Sequence, residues 1–128
     1  MSYIYPDVDT LPGLPAIGNQ QCAPLVEHYA KAPAPAALKW QEGVVVKGNL
    51  TLTKGTAIAT FVNGRYPSLP SGNHAALYVS QDATGVWVVD QYFGSNGIHK
   101  RLLHFKGKLP GGGYVDPSNN GDAFPVIE

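Results

Sequence analysis

The chain has 128 residues, 44% of them hydrophobic and 14% charged, and its nine basic and nine acidic side chains cancel. That apolar content fills one core and not two, so a single domain over residues 1–128 is expected. Scattered cations exclude an electrostatic footprint for nucleic acid, no run approaches the ~20 apolar residues of a membrane span, and a lone cysteine excludes an internal disulfide.

Residues 1–19 are punctuated by proline and glycine and carry no helical period, which predicts an extended N-terminal arm. Met1 to Thr10 lacks the basic start and apolar core of a secretory signal peptide, so synthesis in the cytoplasm without a cleaved leader is expected.

The next segment is the most informative. Cys22, Leu25, Val26 and Tyr29 fall at i, i+3, i+4 and i+7, the core-facing stripe of an amphipathic helix that ends near Lys31, before Pro33. Pro24 is tolerated only in the first turn, which places Cys22 at the helix start. Unpaired backbone N–H groups there favour thiolate over thiol. By itself a lone cysteine reads more often as a small buried hydrophobe than as a nucleophile.

Lys31 to Ala36 reads as a stiff polyproline-like connector. Strands are expected near 43–47, 56–62, 74–80, 86–92 and 98–105. The loop 63–72 leads into His74 and should line a cleft, with Arg65 and Tyr66 read as solvated loop residues. Residues 74–79 and 85–92 form a predicted hairpin around Gln81 to Thr84. A register pairing Val79 with Gly85 sets His74 opposite Asp90, whereas a one-residue slip sets it opposite Gln91. Asp90 shares its face with Val86 and Val88, where an unpaired charge is costly, and His74 is its natural partner.

A thiol at a helix start, a histidine at a strand entrance and an acid on the neighbouring strand are a cysteine nucleophile, its base and the base's orienter. Their chain order, cysteine then histidine then acid, is that of papain-like amidases. Gln21-Cys22 opening a helix, His74-Ala75-Ala76 beginning a strand and Asp90-Gln91 closing the next resemble the bacterial cell-wall amidases of the CHAP family and their NlpC-type relatives. The resemblance spans roughly residues 18–105.

It implies an α+β papain-like fold, with an N-terminal catalytic helix packed on an antiparallel β-sheet of about five strands. It also implies Cys22 as nucleophile, His74 as base, Asp90 as orienter, and an oxyanion held by the Cys22 N–H with Gln21 as the second donor. No cofactor is implied. Peptidoglycan peptide is the implied substrate, and the likeness extends to amidase toxins that type VI secretion delivers to a rival's periplasm. A cognate immunity protein is left open as a second partner. Two other classes also stay open: a thiol acyltransferase or deamidase of the same superfamily, and a catalytically silent binding domain.

The remaining histidines do not suggest a metal site. His28 lies roughly 240° around the helix from Cys22, and His99 and His104 point to opposite faces of a strand. The glycine-rich Pro110 to Tyr114 reads as a lid or surface turn rather than a phosphate loop.

Overall fold

The computed structural model describes residues 1–128. Its centre is one antiparallel sheet of six strands: β1 (Glu42–Val45), β2 (Ala57–Ala59), β3 (Ala75–Gln81), β4 (Gly85–Asp90), β5 (His99–His104) and β6 (Pro125–Ile127), in the order β1-β6-β2-β3-β4-β5. Helix α1 (Cys22–Tyr29) packs mainly on β3, and a four-residue helix, α2 (Ala36–Lys39), follows it. This is the α+β layout expected, with one strand more.

Helix α1 begins where the sequence places it. Gln21 is in the extended region at the N-cap, and Pro24 falls in the first turn, where its missing N–H breaks no helical bond. The helix stops at Tyr29 rather than near Lys31, because Lys31 takes a left-handed conformation and lets the Ala32 N–H fold back onto the Val26 carbonyl. Leu25 and Val26 are fully buried, each worth about 1.5–3 kcal/mol of apolar transfer. Cys22 and Tyr29, at the two ends of the stripe, are half-buried against the same core.

The sheet buries both faces. Ala57, Ala59, Ala75, Leu77, Val79 and Val89 face α1 together with Val8, Leu11 and Trp40. Ile58, Ala76, Tyr78, Val86, Val88 and Leu103 face a second core completed by Val46, Phe124 and Val126. The second core depends on the C-terminal segment, and β6 is a strand the sequence reading missed. Three residues beginning with proline give little periodic signal, yet β6 inserts between β1 and β2.

Two other expectations are corrected. The arm is not simply extended: Val8 to Thr10 forms a 3₁₀ turn, and Val8 and Leu11 are core residues. The connector after α1 is not a continuous polyproline segment: it opens on the left-handed Lys31 and contains a cis Ala34–Pro35 bond, and beyond it Ala36 to Lys39 coil because four good helix formers follow the last proline.

The hairpin register also differs from that predicted. Leu77 pairs with Val89 and Tyr78 with Val88, which puts Ala76, not His74, across from Asp90. A register irregularity between Tyr78 and Ser80 then shifts the pairing by one, to Ser80 with Trp87. At the site the offset is two residues, so parity is preserved and His74 stays on the face of Asp90 as a diagonal neighbour.

Candidate active site

The N-terminus of α1 points at the entrance of β3, and this brings the thiol to the imidazole. His74 is fixed there by a reciprocal pair: its N–H donates to Thr60 Oγ1 at 3.0 Å, and the Thr60 N–H donates to the His74 carbonyl at 3.0 Å. Its ring Nε2 lies 2.7 Å from Asp90 Oδ2. That contact occupies Nε2 and leaves Nδ1 to serve the thiol. Asp90 is fully buried and His74 is 4% exposed, whereas Cys22 lines the cleft and is partly accessible.

The electrostatics follow from these contacts. Burial acts to lower the His74 pKa, but the hydrogen bond and charge of Asp90, together with Cys22, override it and raise the value to about 9. For Cys22 burial pushes upward, and the hydrogen bond and charge of His74, the Tyr66 hydroxyl and the Ala75 backbone outweigh it, so the thiol sits below its ordinary 9.0. Both shifts run in the direction of a thiolate–imidazolium pair.

Gln21 also lines the cleft, beside Cys22. Its side chain makes no capping hydrogen bond, while its backbone carbonyl is held at 2.7 Å by Gln91 Nε2. Gln91 is fully buried and also exchanges two hydrogen bonds with the Ile17 backbone, at 2.8 and 2.9 Å. One amide thus ties the arm and the turn before Cys22 to the end of β4.

Two site residues were missed by sequence reasoning. Tyr66, read as solvated, is 4% exposed, packs at a tilt against Trp40 with ring centroids 4.8 Å apart, and places its hydroxyl 3.3 Å from Cys22 Sγ. Asn73 Nδ2 donates to that same hydroxyl at 3.3 Å. The loop lines the cleft through Leu69 to Asn73, as expected, while Tyr66 turns inward.

Arg101, counted in the sequence only among the scattered cations, sends Nε to Asp90 Oδ2 at 2.7 Å and Nη1 to Asn119 Oδ1 at 2.9 Å. Strand parity carried the signal. Arg101 pairs with Val88, which shares the Asp90 face, but this shows only once β5 is in register.

These groups open on a cleft of about 530 Å³ walled by Leu69 to Asn73 on one side and by Tyr92, Phe93, Ser118 and Asn119 on another. A thiol, an imidazole and a buried carboxylate brought together beside an open cleft are groups that could serve acyl transfer from an amide or ester carbonyl. No three histidine, cysteine or acidic side chains converge in a metal-binding cluster. His28 instead packs edge-on against Tyr29, and His99 Nε2 lies 2.7 Å from the Ser95 carbonyl oxygen.

The chain resembles known proteins over nearly its whole length. The family model described as "Domesticated amidase effector 2" matches residues 7–127. The type VI secretion amidase effector 2 protein of Salmonella typhi is 40% identical over 135 residues, with both chains fully covered. Domesticated amidase effector 2 of Ixodes scapularis is 34% identical over 91 residues, covering 70% of this chain and 57% of that one. A solved structure of type 6 secretion amidase effector 2 superposes with a TM-score of 0.87 at 38% identity, covering 98% of this chain and 94% of the other.

Proposed function

The chain belongs to the domesticated amidase effector 2 family, and from that premise we propose that it is a cysteine amidohydrolase acting on peptidoglycan peptides through an acyl-enzyme on Cys22. The observation that carries this reading is the Asp90–His74 contact at 2.7 Å beside a thiol held below its ordinary pKa.

In the proposed reaction the Cys22 thiolate attacks the scissile carbonyl carbon. The oxyanion that forms is held by the Cys22 N–H and the unused side-chain amide of Gln21. His74, protonated, gives its proton to the departing amine as the carbon–nitrogen bond breaks, leaving a thioester. Water then attacks the thioester and His74 takes its proton, which releases the carboxylic acid and restores the thiolate–imidazolium pair. Asp90 orients the imidazole throughout.

A silent domain with a sealed cysteine is disfavoured, because Cys22 borders the open cleft. Its relatives' names make export by a type VI secretion system, to act in a target cell's periplasm, the fitting route.

Purified wall sacculi digested with the protein and analysed by mass should release fragments with new amine and carboxylate ends. Cys22→Ala should abolish that release while keeping the fold. Undiminished release by this variant, or fragments cut only between sugars, would overturn the assignment.

A further inference from the structure

Asp90 is fully buried, and a single oxygen of it, Oδ2, accepts from His74 Nε2 and from Arg101 Nε, each at 2.7 Å. Its other oxygen, Oδ1, is buried without a partner. The acid is therefore shared between two cations at one atom, and Arg101 Nη2 comes within 3.4 Å of the imidazole nitrogen itself. A guanidinium so placed cannot be neutral to the base it adjoins: it draws on the same carboxylate charge and opposes a proton on the ring.

The approach is built rather than incidental. Arg101 rises from β5 opposite Val88, its Nη1 is anchored by Asn119, and the Tyr92 ring lies 5.2 Å beneath its guanidinium carbon. A loose surface arginine has no such three-sided seat. The titratable and charged groups facing His74 are Cys22 from α1, Asp90 from β4, Tyr92 from the loop after β4, with ring centroids 6.4 Å apart, and Arg101 from β5. Asp116, through its charge, also feels Arg101 from the C-terminal side. Among these, Arg101 is the one fixed cation.

We propose that Arg101 is a positioning residue of the catalytic array, which shares the Asp90 carboxylate with His74 and limits how much of its charge the imidazole receives, so that the imidazolium can release its proton to a leaving amine. The array is then four residues, Cys22, His74, Asp90 and Arg101. This rests on the amidohydrolase reading, but its test does not require a substrate.

Nuclear magnetic resonance titration of the His74 ring in the free protein reads the proton directly. Arg101→Met keeps the apolar stem and removes the charge, and should strengthen proton binding by His74 about tenfold, moving its midpoint to higher pH. Arg101→Lys, which restores a point charge without the fork, should return part of that shift. If turnover is measured as well, Arg101→Met should lower kcat more than it changes KM and extend the alkaline limb.

An unchanged or lowered His74 midpoint in Arg101→Met would overturn the proposal, as would a raised KM with kcat and pH profile intact, which identifies a substrate anchor. Should Arg101→Met fail to fold, Arg101→Lys carries the test alone, and an unaltered midpoint in it together with wild-type kcat would count against the role. Should the wild type cleave no sacculi while Arg101→Met still shows the expected His74 shift, the role of Arg101 stands and the proposed substrate is refuted.

Discussion

Cys22 and His74 titrate as a pair, so the pH behaviour belongs to both. His74 binds its proton more tightly folded than unfolded, so its stabilisation is fully present below about pH 6.5 and is lost as pH rises through about 9. The Cys22 shift runs the other way: its contribution is present above 9.0 and is lost as pH falls through the lowered folded value. The thiolate absorbance near 240 nm should therefore titrate with a midpoint below 9.0 in the native protein, and that midpoint should move to higher pH in His74→Ala.

Tyr66 extends the same chemistry. Burial and the neighbouring Cys22 raise its pKa well above 10, so it stays protonated and donates to the thiolate. Tyr66→Phe should slow alkylation of Cys22 at neutral pH about tenfold, in line with about 1.5–3 kcal/mol for a hydrogen bond to a charged group. Asp90→Ala should retain more activity than His74→Ala, because orienting a base matters less than supplying it.

At the scale of elements, the site is a meeting of three ends: the start of α1, the entrance of β3 and the exit of β4. Gln91, one residue beyond β4, fastens two of them by hydrogen bonds to Ile17 and Gln21. Gln91→Ala removes the partner of the half-buried Ile17 backbone and of the Gln21 carbonyl, so chemical denaturation should report a loss of about 1–3 kcal/mol, given about 0.5–1.5 kcal/mol net for each hydrogen bond. The turn that carries Cys22 loses its tether as well, and kcat should fall further than stability alone explains.

At this scale the sequence was partly legible. The stripe from Cys22 to Tyr29 identified α1, and the β-branched runs identified β3 and β4, because both patterns are local. The hairpin register was not legible, since the turn and the irregularity near Val79 absorb residues that no periodicity marks. The error fell on an even number at the site, so the inferred shared face survived although the inferred opposite pair did not.

In the whole molecule, the two ends of the chain complete the cores. Leu11 from the arm is 1% exposed on the α1 side, and Phe124 near the C-terminus is fully buried on the other. Leu11→Ala should cost about 2–5 kcal/mol through lost burial and the cavity left behind. Because Leu11 is absent from the cleft lining, kcat per folded molecule should stay near wild type, a contrast that parallel melting and activity measurements would reveal.

The sequence alone supplied the candidates for the chemistry: one thiol at a helix start, one histidine at a strand entrance and one acid on the next strand, singled out by their conjunction rather than by any one of them. Tertiary structure alone decided what surrounds them. Tyr66 and Arg101 reach the site from a loop and an edge strand whose placement depends on long-range packing, and a side chain's local pattern says nothing of which distant atom it will meet.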